Sequence, residues 1–290
     1  MAYDWPPLVP GDPDEVARRV AAVLDEAWKR LAAQQERVLK TFEQQPRSRL
    51  VLLTLEEFKR AVQAFRREID TEALAFVRRQ LPHLYQQGAE RAAERLGARF
   101  TWTMIHRDAL MSLASDSYND FLRRSEEAER IATKFYRAAR AAGRLEVPLL
   151  AAGNVTAKQA ASNLAARLRD EHHLAHVVYR NGARVPVDVW AEAATLAKSA
   201  VAYNAGTLNR TREAGVRYVE VFDGMDCGWA SHQDPDKGAR TIRTVEDAAE
   251  FPIAHPRCRR SFGPRPDIEP GGEDAAANNG FAATAYLHKQ

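Results

Sequence analysis

Apolar residues recur three and four positions apart through nearly all of the first 150 residues, and that spacing commits the stretch to amphipathic helices. The first run takes in Val16, Val20, Val23, Ala27 and Leu31 and continues through Val38 and Phe42 towards Pro46. Asp12-Pro13 reads as its start, because proline at the first helical position sacrifices no hydrogen bond. A second stripe, Leu55, Phe58, Val62, Phe65 and Ile69, follows Thr54-Leu55-Glu56-Glu57. That quartet is a capping-box pattern, in which Thr54 accepts from a backbone N–H and Glu57 reaches back. Pro82 predicts a break or kink. Leu84, Tyr85, Ala89, Ala92 and Leu96 make a further short helix that Gly97 stops. A long helix is expected from about Asp108 to Ala142, closed by Gly143. Residues 1–150 therefore read as a helical domain.

No catalytic constellation stands out in that domain. His106-Arg107-Asp108 lacks the glycine-rich loop and Asp-Phe-Gly that a kinase needs. After Pro148 the composition loosens. Thr156 opens a helix to about His172. His172, His173 and His176 fail the zinc-protease pattern, because position 173 would have to be glutamate. Ala175 to Tyr179, Asn181-Gly182 and Ala183 to Val187 spell a β-hairpin with a preferred two-residue turn. Asp188 caps a helix running to about Gly215, and Tyr218 to Phe222 is a strand ending in the Asp223-Gly224 turn. The fold class expected is mainly α, with a small C-terminal α+β module over 151–268, its hairpin and strand set around a candidate zinc-stapled loop. Residues 269–290 are poor in apolar side chains and read as a flexible tail.

Both cysteines of the chain, Cys227 and Cys258, fall in this module, each close to a histidine. The pattern is Cys227-x4-His232, a gap of 22 residues, then His255-x2-Cys258. Two short-spaced pairs separated by a loop follow the general grammar of a four-ligand structural zinc site. Two other readings of the same residues stand beside it: buried thiols serving as small hydrophobes, and a disulfide, which a reducing cytosol disfavours. Four ligands would close the site, whereas a catalytic zinc keeps one position open. The residues therefore suit an interaction protein better than an enzyme.

Two segments, DGMDCGWASHQDPDKGARTIRTVEDA and PIAHPRCRRSFGPRPDI, resemble the C-terminal module of the phage Mu F-like minor capsid proteins, the head-morphogenesis family. The carrying motifs are Asp223 to Cys227 and His255-Pro256-Arg257-Cys258-Arg259. The closest likeness is to minor capsid proteins of tailed phages of actinobacteria. It extends, less sharply, over the helical region from about residue 80 to 268. Many family members have a second cysteine near the first and another after the final arginine. Here those places hold Ala230 and Arg260, so zinc would depend on His232 and His255. The resemblance implies a virion protein at or near the portal vertex, made in the host cytoplasm and active in head assembly and DNA packaging or delivery. It implies portal, scaffold or major capsid protein as partners.

Arg257, Arg259, Arg260 and Arg265 crowd the end of the module. They suit an acidic partner surface or nucleic-acid phosphates, or else internal pairs with Asp223, Asp226, Glu246 and Asp247. A net charge of only +3 means that any DNA contact must come from such a local patch. No run of about 18 apolar residues suggests a membrane span, and the acidic, proline-rich start does not suit a signal peptide. The rival reading is a zinc-dependent nuclease or transferase with His232 or His255 in catalysis. A third is a helical adaptor without a phage role.

Overall fold

The computed structural model describes residues 13–45, 48–150, 156–179, 182–223, 238 and 240–268. For 143–150 it describes the helical backbone alone. The chain is mainly helical with small antiparallel sheets. The helices are α1 (Pro13–Gln44), α2 (Leu50–Ala75), α3 (Leu81–Arg95), α4 (Met104–Leu150), α5 (Ala157–Glu171), α6 (Val187–Glu213) and α7 (Val245–Glu250). Strands β1 (His176–Val178) and β2 (Arg184–Pro186) form a hairpin, and β3 (Tyr218–Phe222), β4 (Ile242–Thr244) and β5 (Ser261–Pro264) form a second sheet.

Most of the periodic stripes are buried as their spacing requires. Val16, Val20, Ala27, Leu31, Val38 and Phe42 of α1 lie inside, as do Leu55, Phe58, Val62, Phe65 and Ile69 of α2. The start of α2 differs from the capping-box expectation. The helix begins at Leu50, with the Ser48 hydroxyl accepting from the Leu50 N–H at 3.1 Å. Thr54 is thus interior to the helix, buried, and donates back to the Val51 carbonyl at 3.0 Å. A threonine can cap only where the preceding backbone leaves the helix, and here it does not. Pro82 causes no stop. A π-helical turn, Phe76–Gln80, joins α2 to α3 and places Pro82 in the first turn of α3. The wide turn relieves the clash between a proline ring and the carbonyl one turn earlier. Gly143 does not close α4, which runs on to Leu150. The hairpin is as expected: His176, Val177 and Val178 pair with Pro186, Val185 and Arg184, and Gly182 sits at φ +81°. Asn181 lies outside the described residues, as do Asp12 and the tail.

The boundary expected at residue 150 is not where the contacts divide. Of the described residues, one compact unit gathers those up to Arg18, those of Ala75–Ser117 and those from Ala193 onward; the other gathers those of Arg19–Leu74 and Tyr118–Glu192. Helices α1, α4 and α6 each contribute to both. A cut in the linear sequence cannot follow helices this long.

The second unit is cored by aromatic side chains. Trp28 meets Phe65 edge-on at 4.5 Å and lies 5.7 Å from Trp190; Phe58 meets Phe135 at 5.1 Å. Arg169 on α5 grips Glu36 of α1 through two bonds, 3.1 and 2.9 Å, and reaches Glu43 at 3.2 Å.

In the first unit, β3 is the central strand, paired antiparallel with β4 and β5. Val219 and Val221 face a core of Leu208 from α6, Val245 and Ala248 from α7, and Phe262 from β5. Arg95 of α3 stacks over Phe222 at 5.2 Å, with Gly263 leaving room for its guanidinium. Pro264 is tolerated because β5 is an edge strand. Thr244 caps α7 by accepting from the Asp247 N–H at 3.2 Å. Thr244→Ala is expected to cost about 1 kcal/mol in denaturant unfolding.

Helices α3 and α6 cross at two glycines. A Cβ on Gly88 would strike the Tyr203 carbonyl, and one on Gly206 would strike the Tyr85 carbonyl. Thr207 Oγ1 locks the crossing by donating to the Gly88 carbonyl at 3.0 Å.

Candidate functional site

His255 and Cys258 lie on one turn, the Cys258 N–H donating to the His255 carbonyl at 2.9 Å. Cys258 is buried and His255 is half-buried. Their expected co-ligands, Cys227 and His232, lie outside the described residues. Among the described residues no three His, Cys, Asp or Glu side chains form a group that could hold a metal ion.

The turn is fixed from both flanks. Asn204 of α6 is fully buried, and its Nδ2 donates to the Pro252 carbonyl at 2.7 Å and to the Arg260 carbonyl at 2.9 Å. Those carbonyls stand on either side of His255 and Cys258. Arg260 adds a second tie. Its Nε donates to Asp223 Oδ1 at 3.0 Å and its Nη1 to the Phe251 carbonyl at 3.2 Å. The ion pair is interior, with the two side chains 1% and 5% exposed. Its members are 37 residues apart. It joins the end of β3 to the start of β5, at the two ends of the segment bearing both candidate ligand pairs.

This overturns one part of the basic-patch expectation. Arg260 does not face a partner: it is spent on an internal carboxylate, because a buried guanidinium is tolerable only when paired and fully hydrogen-bonded. Arg265 is engaged as well. It binds Asp267 through two 2.8 Å bonds and Glu220 at 3.2 Å. Hydrogen bonding to Asp267 raises its pKa further still. Arg259 is exposed and pairs with Asp14, and Arg257 is exposed. Of the acids named in the sequence reading, Asp223 takes Arg260, whereas Glu246 takes Arg212 at 3.6 Å and Asp247 takes Arg243 at 3.8 Å. Asp226 lies outside the described residues.

His172 and His176 do not share a helix face. His172 is the C-cap of α5, and His176 opens β1.

From the sequence, Asn204 reads as one of the polar residues of its helix that face a partner or solvent, whereas it is buried, and β4 and β5 are not legible there at all. An asparagine inside an alanine-rich helix is a weak signal, since only its burial distinguishes it from a solvated one. Strands of three and four residues carry too few side chains for alternation to be read.

No family model, curated protein or solved structure matches the chain. Among the described residues no helix is long and apolar enough to cross a membrane.

Proposed function

We propose that this chain is a minor capsid protein of the Mu F-like, head-morphogenesis type. It would act at or near the portal vertex of a tailed phage, in head assembly and in DNA packaging or delivery. The observation that carries the reading is the buried Asp223–Arg260 pair. Asp223 opens the first segment, and Arg260 lies in the second, directly after its His255–Arg259 motif. Their bond supports treating the two segments as one closed structural element. The role is structural and not enzymatic. The His255–Cys258 turn is held by its backbone from both sides, as suits a staple. Its partners are the portal protein, the scaffold or the major capsid protein, with Arg257 and Arg259 on the surface for an acidic partner or DNA.

A thiol and an imidazole on one turn are the donor types that zinc accepts. Zinc would be held by Cys227, His232, His255 and Cys258. Bound there, it would supply cross-linking of the module and no reaction chemistry. The test is elemental mass spectrometry of the purified full chain beside reconstitution with the portal protein of the phage that encodes it. About one zinc per chain, lost in Cys227→Ser and Cys258→Ser, is expected from a closed structural site. A stable portal complex is expected as well. Failure to bind portal, scaffold or major capsid protein would refute the capsid reading. Metal-dependent DNA cleavage, abolished in a folded His232→Ala variant, would replace it with the nuclease.

A further inference from the structure

Four side chains outside the Cys/His segment form a directed hydrogen-bond chain inside the first unit. Asn209 and Glu213 come from α6, Tyr85 from α3, and His106 from the first turn of α4. Asn209 Nδ2 donates to the Tyr85 hydroxyl oxygen at 2.9 Å. Tyr85 Oη lies 2.9 Å from His106 Nδ1, and His106 Nε2 lies 3.2 Å from Glu213 Oε2. Tyr85 and His106 are both 0% exposed. Chemistry sets the direction of each bond. A carboxylate only accepts, so His106 Nε2 carries the ring proton. Tyr85 oxygen already accepts from Asn209, and its own O–H is left to donate to the bare Nδ1 of a neutral imidazole. Each of the three bonds then pairs one donor with one acceptor.

The chain also holds the segment that connects α3 to α4. Phe100 and Trp102 close edge-on against the imidazole at 4.9 and 6.5 Å, and Trp102 stacks on Tyr85 at 5.8 Å. The ionisable groups facing His106 are Tyr85 from α3, with Glu213 and, behind it, Arg210 from α6. Arg210 binds the same Glu213 oxygen at 3.1 Å.

We propose that this cluster is an acid-release latch, in which a second proton on His106 frees the α3–α4 connection and the first turn of α4 from α6. The proton can enter only at Nδ1. That turns an acceptor into a donor facing Tyr85, and the tyrosine O–H loses its acceptor where no water reaches it. Burial holds His106 below its ordinary value of 6.5; Glu213 pulls the other way and Arg210 adds to the depression. Burial also pushes the Tyr85 phenol up to about 12, so it cannot relieve the conflict by ionising. Against the upward push of its own burial, hydrogen bonds and the Arg210 charge keep Glu213 below the usual carboxylate range, and it remains an acceptor. The unfolded chain therefore takes up a proton near 6.5 that the folded latch refuses. The stability His106 contributes is complete above that pH and is lost as pH falls towards the depressed folded value.

Hydrogen exchange of the full chain, read by mass spectrometry peptide by peptide, tests this. Corrected for intrinsic rate, protection over 96–110 should fall about tenfold or more between about pH 7.5 and pH 5, with β3 unchanged. His106→Gln cannot titrate and should abolish that fall. Glu213→Gln removes the charge that favours protonation and should move the midpoint to lower pH. Constant protection in the wild type would overturn the latch. So would an equal fall in His106→Gln, or simultaneous loss in β3. If His106→Gln does not fold, the Glu213→Gln midpoint decides: lower supports the latch, unshifted or higher overturns it.

Discussion

Asp223→Ala is expected to destabilise the first unit by about 3–5 kcal/mol, the cost of leaving a buried guanidinium without its carboxylate. Arg260 is almost wholly enclosed, and its Nη1 also donates to the Phe251 carbonyl. A neutral acceptor does not offset the desolvation of a full charge. The companion variant separates the pair's net worth from the penalty of breaking it. Replacing both partners together, Asp223→Leu with Arg260→Met, should recover most of the loss, because apolar residues of similar volume often match a buried ion pair. Denaturant unfolding, with hydrogen exchange at β3 and β5 to locate the effect, gives both numbers. A loss below about 1 kcal/mol for Asp223→Ala would mean that the pair is wetter or looser than its geometry implies, as exposed pairs are.

Gly206→Ala is the second large effect, and its sign is the informative part. In an ordinary helix interior the change stabilises by about 1 kcal/mol, since glycine is the poorer helix former. Here the added methyl meets the Tyr85 carbonyl, a backbone atom of α3 that cannot rotate away. Overpacking of that kind costs about 1–3 kcal/mol, and the helices must also part. Net destabilisation is therefore expected. Gly88→Ala should behave the same way, because its methyl meets the Tyr203 carbonyl from the other side. The two are not expected to be additive: both force the same crossing apart, and the second should cost less once the first is present. Thermal unfolding of the single and double variants checks this, and a stabilised Gly206→Ala would exclude the close crossing.

The amphipathic stripes of α1 and α2 were legible in the sequence because burial of one face needs a period, and a period survives in the linear order. The hairpin was legible for a related reason: Gly182 at positive φ is a local requirement that glycine meets without strain. One local feature of the candidate site was also legible, and it fits the buried-thiol reading as well as the zinc one. His255-x2-Cys258 does form one turn, and Cys258 is buried. What held that turn was not legible, since Asn204 lies 48 residues from one of its acceptors and 56 from the other. The role of Arg260 was open for the same reason. Beside three other arginines it reads as part of a surface patch, and only its burial against Asp223 makes it a strut.

Local signals failed where they met a competing tertiary demand. The Thr54 box lost to an earlier helix start, and Pro82 was absorbed by a π turn. Strands β4 and β5 exist because β3 offers two edges to pair with, not because their few residues prefer extension. The linear order alone made plain that the chain is helical, where its apolar faces lie, and that both its cysteines fall in one C-terminal segment, each near a histidine. Those properties depend on neighbours one turn away. The division of long helices between two units, the glycine crossing of α3 and α6, the His106 chain and the Asp223–Arg260 pair were decided by the tertiary structure alone. Each depends on groups far apart in the chain meeting where water is excluded, and only there do an unpaired charge, a missing acceptor or one methyl group cost enough to matter.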